Sequence, residues 1–394
     1  MSFILRLKSI NPLFLISILF WIVCIFLFSR LGIKEVNDSA RYLEYASNLR
    51  SGFYFEGHNM WYIGYVILIF FSKTIGESYS YIIGLQYLLS FISVIYLFKT
   101  SMLLWDSRKV GLFTVCAYIL FVDILSWNSF ILAESFYTSM ICISLYYLLL
   151  LNKKKATVAD MIIGVSIVLL AVFTKPTGIA LLAAILGALS LRFLSSKKFT
   201  VLVKSIPVLL VGLALFLLSE KMLTSFLVLE NYQIGEIIYA VTTIPSLPSL
   251  NQLVVTPPDN LYIPSKDYTK LTQIILFIWN NPIYWTELFL KKVFYMVVHI
   301  RPFWSWEHNL YSLLFLLPSY YLVIFMLFKS ALTPVVKRFS VIYLLMHCLS
   351  VGLTSVDWDG RFLMPLLPVV FLIAGKGVFM VLPNLVFWKK ETQA

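Results

Sequence analysis

Long and nearly uncharged apolar runs, separated by short basic clusters, dominate the pattern of hydrophobic and polar positions. A run such as Val201–Leu218 can cross the roughly 30 Å hydrocarbon layer of a membrane as a helix. The pattern therefore predicts an all-α, polytopic membrane protein with about ten transmembrane helices, which form a single transmembrane domain over residues 1–394. The predicted helices cover residues 12–30, 79–98, 110–126, 132–151, 158–174, 177–194, 201–219, 309–328, 339–356 and 362–382.

The basic clusters predict how these helices are oriented. Lys and Arg are enriched in cytoplasmic loops, so we place Arg6 and Lys8 inside. The apolar segment 61–72 must then lie on the outer surface, because a crossing there would invert every later cluster. We expect a multi-pass protein of the plasma (inner) membrane with its polar residues facing the periplasm or the cell exterior. Dense clusters then fall inside at Lys153–Lys155, Lys197–Lys198 and Lys389–Lys390.

Two long segments remain on the outer side, residues 31–78 and residues 220–308. The second begins with turn-forming Pro, Asn and Asp residues. It then becomes apolar from Pro282 onward, with Lys291 and Lys292 embedded. This mixture is typical of an amphipathic helix that lies in the membrane interface, although a further membrane span is the alternative.

Composition supports the membrane prediction and excludes several classes of function. Hydrophobic residues make up 60% and charged residues only 13%, against about 25% charged in soluble domains. The net charge of +12 sits in short clusters without a binding fold, so we expect no nucleic-acid partner. The four cysteines lie inside apolar runs and read as buried thiols. Because no nucleotide motif or metal-ligand spacing is present, no cofactor is required and no metal ligands are predicted, although a divalent cation remains an alternative.

Ionisable residues are costly in a membrane protein and are therefore candidates for function. Asp38 is predicted to cap a helix that begins at Ser39 and carries Tyr42 on one face. An ordinary helix cap explains this aspartate. Alternatively, its carboxylate faces an outer cavity and accepts a proton from an incoming hydroxyl or amine.

The cations near the outer helix ends suggest a phosphate site. Arg361 is placed at the mouth of the last helix, where a guanidinium could bind a phosphate with two hydrogen bonds. Pairing with Asp357 or Asp359 is the alternative. Lys175 lies in a tight outer turn and could also hold a phosphate.

Three further polar residues have structural and functional interpretations of comparable weight. Glu134 enters the membrane at the outer end of the fourth predicted helix, so it needs a hydrogen-bonding or charged partner. His58 could be an ordinary loop residue or part of a substrate site. Arg301 belongs to an aromatic and charged segment that could anchor the chain in the interface or line a sugar site.

Four motifs carry a family resemblance through their order along the chain. They are Asp38 with Tyr42 and Ala46, Glu134–Tyr137, Lys175–Gly178 and Gly360–Pro368. Together they resemble the GT-C superfamily of membrane glycosyltransferases. The nearest branch is that of the bacterial relatives of dolichyl-phosphate-mannose–protein mannosyltransferases and aminoarabinose transferases.

The resemblance implies a GT-C-like architecture with interfacial helices in both outer loops. It also implies transfer of a sugar from a polyprenyl-phosphate carrier to a lipid, glycan or protein acceptor at the outer face. Asp38 would be the catalytic base. Many relatives carry an adjacent Asp-Glu pair in the first outer loop, whereas here Glu35 lies three residues before Asp38, which counts against a metal-assisted reaction. The residues expected to bind substrate or phosphate are Arg361, Lys175, Glu134, His58, Tyr42, Glu35 and Arg301.

Two other functions stay open at this point. A transporter or flippase of lipid-linked glycans should carry charge along the bilayer midplane, and the centres of the predicted helices are almost bare of charge. A glycan polymerase or ligase would need the same outer base and phosphate-binding cations, so sequence does not separate it from a transferase.

Overall fold

A computed structural model describes residues 11–49, 51, 57–194, 201–244, 248–329 and 331–382, and these fold into helices and connecting loops. The basic residues used for orientation at Arg6, Lys8, Lys197–Lys198 and Lys389–Lys390 lie outside the described residues. The first eight α-helices are α1 Pro12–Leu31, α2 Asn37–Asn48, α3 Ile63–Ile75, α4 Tyr79–Trp105, α5 Arg108–Leu120, α6 Val122–Ser126, α7 Ala133–Asn152 and α8 Val158–Val172. The next eight are α9 Gly178–Leu194, α10 Val201–Thr224, α11 Val228–Ile234, α12 Lys270–Asn280, α13 Pro282–Val298, α14 Trp306–Phe328, α15 Pro334–Leu353 and α16 Leu367–Val381.

Six helical segments are long and apolar enough to cross a membrane: α1, α4, α7, α14, α15 and the segment Met364–Val381 that contains α16. Two bent helix pairs raise the number to eight if each pair is one span. The chain is therefore a multi-pass membrane protein by helix length and hydropathy. The helices α8 and α9 form where two further spans are predicted, but they are shorter apolar helices, so the full number of about ten stays a prediction.

Local sequence explains where individual helices begin and end. At the start of α1, the Asn11 side chain accepts a hydrogen bond from Leu13 N at 3.0 Å, and the helix ends at Gly32, whose φ of 62° suits glycine. At the start of α8, Thr157 and Asp160 cap each other reciprocally. These polar side chains satisfy the free backbone groups at helix ends, which the apolar helix interiors cannot do.

The helix α7 is the centre of the bundle, since 78% of the residues in its 18-residue apolar stretch are buried inside the protein. In α1 and α14 the corresponding share is only 22%, which leaves most of their apolar side chains facing outward, as expected for lipid-facing helices. The side chains of α7 pack mainly against α4 and α8.

A buried amide fastens three segments together beside α7. Gln86 of α4 accepts a hydrogen bond from the Tyr65 hydroxyl of α3 at 2.6 Å. Its Nε2 donates to the carbonyl oxygens of Asn128 and Phe130, at 3.0 and 2.8 Å, in the loop before α7. Because the amide is fully paired, it orders the apolar core without an unsatisfied polar group.

The helix α3 begins and ends at the same end of the bundle. At its start, Gly64 N donates to Phe173 O at 2.7 Å, at the turn between α8 and α9. At its end, only three residues separate Ile75 from the start of α4, and this part of α4 lies beside the loop before α7 through Gln86. Helix α3 is not among the candidate membrane spans by length and hydropathy, and the location of residues 61–72 on the outer surface stays a prediction.

The predicted amphipathic segment in the second outer loop is helical, as α13. Lys291 is exposed and pairs with Glu287 at 2.7 Å. Lys292 is buried, and its Nζ donates to Thr354 O at 2.5 Å, next to the end of α15. One of the two adjacent lysines therefore faces the protein, and the helix packs on α15.

We expect Gly64→Ala to destabilise the protein, because a Cβ there would lie 2.4 Å from Thr174 Oγ1 and 2.5 Å from Leu170 O. Overpacking of this kind costs about 1–3 kcal/mol. The matched control is Gly84→Ala in α4, where a Cβ meets nothing within 4 Å. Thermal melting of both purified variants should show a lower melting temperature for Gly64→Ala alone, and equal melting temperatures would contradict the close approach of α3 to the α8–α9 turn.

Candidate functional site

Four of the predicted site residues meet at one end of the bundle, around the guanidinium of Arg361. Arg361 Nη1 lies 3.2 Å from Asp38 Oδ2 of α2. Arg361 Nε lies 3.7 Å from Glu134 Oε1, in the first turn of α7, and 3.6 Å from Asp359 Oδ1. We call Asp38, Arg41, Glu134, Lys175, Asp359 and Arg361 the Arg361 cluster. Its first and last members along the chain, Asp38 and Arg361, are 323 residues apart.

A short turn before α16 presents the central arginine. Gly360 has a φ of 78°, which glycine adopts without strain. The buried Asp357 accepts a hydrogen bond from Phe362 N at 3.3 Å and so closes the turn around Arg361. On the far side, the Phe362 carbonyl bonds to His347 Nε2 of α15 at 2.8 Å. The position of the guanidinium is therefore determined by backbone contacts as well as by its ion pairs.

Lys175 is buried and pairs with Glu134, rather than facing the outer leaflet as the sequence suggests. Lys175 Nζ lies 2.7 Å from Glu134 Oε1, and the two side chains are only 4% and 3% exposed. The ammonium also lies 4.7 Å from the centre of the Phe362 ring. Glu134 Oε1 thus sits between Lys175 and Arg361, while its Oε2 is buried and forms no hydrogen bond with any described residue.

The prediction that Asp38 caps a helix beginning at Ser39 is wrong. Helix α2 already begins at Asn37, and Ser39 Oγ accepts the hydrogen bond from Val36 N at 3.0 Å. The Ser39 hydroxyl also donates to Ile131 O at 2.9 Å, which ties α2 to the loop before α7. Because serine performs the capping, the carboxylate of Asp38 is available to the arginines.

Asp38 bridges two guanidinium groups. Its Oδ2 contacts Arg361, and its Oδ1 lies 3.2 Å from Arg41 Nη2. Arg41 in turn lies over the rings of Tyr42 and Tyr62, at 5.1 and 5.0 Å from their centres. With about a third of its side chain exposed, Asp38 lies at the open rim of the cluster.

His58 and Tyr42 form an aromatic edge beside the rim. The Tyr42 ring is buried and lies 5.1 Å from Tyr62, and the His58 ring lies 5.2 Å from Tyr62 and 4.9 Å from Phe226. Burial, together with the nearby Arg41 charge, lowers the pKa of His58 to about 4. The imidazole is therefore neutral near pH 7 and contributes ring surface and hydrogen bonds rather than positive charge.

The last two predicted site residues, Glu35 and Arg301, belong neither to the cluster nor to the aromatic edge beside it. Glu35 is exposed, and no hydrogen bond or ion pair joins it to the residues that the structure describes. Arg301 is only 1% exposed. Its guanidinium donates to the carbonyl oxygens of Tyr295, Ile300 and Asp357, at 2.6, 2.9 and 2.9 Å. In this structure Arg301 supports the second outer loop through backbone contacts.

The cluster is electrostatically balanced among its described members, with three carboxylates and three cations. Burial alone would lower the pKa of Arg361, but the surrounding carboxylates outweigh burial, Glu134 most of all, and hold the pKa well above its usual range. Arg361 is therefore a permanent cation, and any anion that binds it must compete with carboxylates that are already in contact.

Sequence reasoning assigned no role to Arg41, whereas it named Asp359 as a possible partner of Arg361, and the two are in contact. Arg41 is three residues after Asp38 on a helix, a spacing that brings opposite charges together, so this signal was present in the sequence. The contact of Asp359 with Arg361 depends on the turn at Gly360. Comparison of the sequence with protein-family models gives no match, and comparisons with curated proteins and with solved structures give none either.

Breaking the Glu134–Lys175 pair from one side should destabilise the protein strongly. Removing one partner of a buried ion pair typically costs about 3–5 kcal/mol, because it leaves an uncompensated buried charge. We expect Lys175→Met to lower the melting temperature of the purified protein more than the double variant Glu134→Gln with Lys175→Met does. The exposed pair Lys291–Glu287 is the matched control, and Lys291→Met should change the melting temperature little. If the double variant melts at a lower temperature than Lys175→Met, the two buried charges do not stabilise each other as proposed.

Proposed function

We propose that this multi-pass membrane protein is a GT-C-like glycosyltransferase with about ten transmembrane helices. It would move a sugar from a polyprenyl-phosphate carrier to a lipid, glycan or protein acceptor at the outer face of the plasma membrane. The observation that carries the proposal is the contact of Asp38 with Arg361 beside Glu134. In the sequence, only a family resemblance linked these three residues. In the structure they lie together, so a base and phosphate-binding cations would share one site.

The donor phosphate would bind between the two arginines. A phosphate offers Arg361 and Arg41 oxygen acceptors that match the planar guanidinium better than a single carboxylate oxygen does. As it binds, it would displace Asp38 from Arg361. Binding of the donor would therefore release the catalytic carboxylate from one of its two ion pairs.

The chemical step then needs one base and one stabilised leaving group. The acceptor hydroxyl attacks the anomeric carbon of the sugar, and its proton passes to Asp38. The bond from the anomeric carbon to the phosphate oxygen breaks, and its electron pair stays on the polyprenyl phosphate. The guanidinium of Arg361 stabilises the negative charge that develops on that oxygen.

An apolar groove supports the assignment of a lipid-linked donor. A cavity of about 410 Å³ lies between α1 and α4 and is lined by residues such as Trp21, Phe28 and Ile83. It reaches Ile33, five residues before Asp38. Next to it, Lys34 pairs through its backbone with the loop before α7, to which Ser39 of α2 also bonds. A polyprenyl tail in this groove would thus run along the membrane and end close to the Arg361 cluster.

The test of the proposal is sugar transfer by the purified full chain in liposomes, measured with a panel of radiolabelled polyprenyl-phosphate sugars. We expect Asp38→Asn to lower kcat by about 10²–10⁴-fold, the usual contribution of a general base. Arg361→Lys should weaken donor binding because it removes the planar guanidinium. Glu44→Gln, an exposed carboxylate on the same helix α2, is the matched control and should keep wild-type activity.

Two outcomes would overturn the assignment. If Asp38→Asn transfers sugar as fast as Glu44→Gln, Asp38 is not the base. If the wild type consumes no donor but moves lipid-linked glycan between leaflets, the protein is a transporter. Products that contain several repeat units would instead indicate a polymerase that uses the same residues.

A bulky side chain in the groove should weaken binding of the prenyl chain of the donor without disturbing the Arg361 cluster. Gly84 lies in the groove, and a Cβ there meets nothing within 4 Å, so Gly84→Phe should be tolerated while its ring occupies the space of the prenyl chain. We expect a higher KM for long-chain donors, with little change for short-chain analogues. The control is Gly212→Phe in α10, another helical glycine with open surroundings. Equal KM values for the two variants would contradict a lipid path through this groove.

A further inference from the structure

A carboxylate and two imidazoles converge at a second point of the structure. Asp123 Oδ2 lies 2.9 Å from His299 Nε2 and 2.9 Å from His308 Nε2. All three ligand atoms lie within 4.8 Å of one another. The residues come from α6, from the end of α13 and from the first turn of α14, so the site forms only when three segments come together.

A break in a helix places Asp123. Helix α5 and the helical segment Val122–Ser129, which begins with α6, meet at an angle of 62° at Phe121. The bend leaves two backbone groups without helical partners, and the Tyr311 hydroxyl satisfies both. It donates to Leu120 O at 2.8 Å and accepts from Val122 N at 2.8 Å. Broken helices are tolerated in membrane proteins where other groups satisfy the freed backbone in this way. The carboxylate that follows the break is therefore held in a defined position.

The two imidazoles are held by packing as well as by Asp123. His299 has a φ of 57° and is 1% exposed. Its ring lies directly against Gly360, where an added Cβ would be 2.1 Å from Cε1. The His308 ring stacks on Trp304 with 4.5 Å between ring centres. The Nδ1 atom of His299 is buried without a hydrogen-bond partner among the described residues, so Nε2 is the nitrogen through which this ring engages a partner.

Hydrogen bonding alone would explain two imidazoles near one carboxylate. Yet both Nε2 atoms approach the same oxygen, Oδ2, although a carboxylate offers two oxygens to two donors. Zinc–nitrogen bonds of about 2.0–2.1 Å place tetrahedral ligand atoms roughly 3.3 Å apart. The observed separations of 2.9 Å between Asp123 Oδ2 and the two imidazole nitrogens would open by about 0.4 Å to reach that spacing.

We propose that Asp123, His299 and His308 bind one first-row divalent cation, with Zn²⁺ as the best fit. Two imidazoles with one carboxylate form the donor set of three-ligand zinc sites, which keep a fourth position for water or a substrate oxygen. Nitrogen donors also favour such ions over Mg²⁺ and Ca²⁺. His308 and Asp123 are 35% and 20% exposed, which gives the ion a path of entry.

The position of this site suggests what the ion would do. The ring of His299 packs on Gly360, the residue immediately before Arg361. An ion bound to His299 would therefore hold the turn that carries Arg361, and would fasten it to α6 and α14. The site stands on its own geometry and does not depend on the proposed sugar transfer.

Metal content tests the proposal directly. The purified full chain is treated with a chelator, then dialysed separately against ZnCl₂, MnCl₂ and MgCl₂, and bound metal is measured by mass spectrometry. We expect one Zn²⁺ per chain and much less Mg²⁺. Reloading with Co²⁺ should give the visible absorption of a four-coordinate ion. Loss of an outer-shell partner costs about 10–100-fold in metal affinity, so His308→Gln or Asp123→Asn should lower the affinity for Zn²⁺ at least that much.

The control variant is His58→Gln, since His58 lies outside this site and should leave the metal content unchanged. Size-exclusion elution identifies any variant that does not fold, and His308→Gln changes a partly exposed side chain, so it keeps the test informative. The proposal is overturned if the wild type retains no more Zn²⁺ than the double variant of Asp123→Asn and His308→Gln. Asp38→Asn should retain the metal, so failure of the metal site and failure of the transferase assignment give different results.

Discussion

Neutralisation of buried charge is the constraint on which this structure depends. Helix α7, the most buried of the six candidate spans, carries Glu134 in its first turn, and a carboxylate at that position is too costly to leave unpaired. Lys175 from the α8–α9 turn and Arg361 from the turn before α16 supply the positive charge. Three distant segments must therefore meet at one end of the bundle. Asp359 adds a third carboxylate beside Arg361, and Asp38 and Arg41 extend this network towards the open rim.

Helices could be predicted from the sequence because their causes are local. Apolar runs of membrane length and caps such as Thr157 with Asp160 act within a few residues. The segment from Pro282, predicted to be an amphipathic helix, is a helix for the same reason. The predicted bounds 158–174 and 177–194 lie within two residues of the ends of α8 and α9, whereas the burial of Lys175 in the turn between them was not predicted. Burial of that lysine depends on Glu134, which lies 41 residues away.

Side-chain partners across the bundle were harder to predict than the membership of the site. Sequence reasoning identified Asp38, Glu134, Lys175 and Arg361, but it treated Lys175 as accessible to a phosphate, because an outer turn usually is. His299 lies in the aromatic and charged segment around Arg301, for which the sequence suggested an interface anchor or a sugar site. Its contact with Asp123 spans 176 residues and depends on a helix break that no local motif announces. Where a partner comes from a distant segment, composition and spacing carry no information about it.

The balanced charge of the Arg361 cluster also bears on specificity. A free arginine at the surface of a membrane would bind any anionic lipid headgroup within reach, since a guanidinium matches phosphate oxygens in charge and geometry. Here Asp38, Glu134 and Asp359 already occupy the guanidinium. A bound anion must therefore repay the loss of these contacts, which favours a ligand that adds further interactions, such as a sugar against the aromatic edge and a prenyl chain in the groove. If the proposed function holds, the carboxylates that stabilise the fold also exclude simple phosphates, and this double role would explain why the proposed base, Asp38, and the proposed phosphate-binding cation, Arg361, are in direct contact.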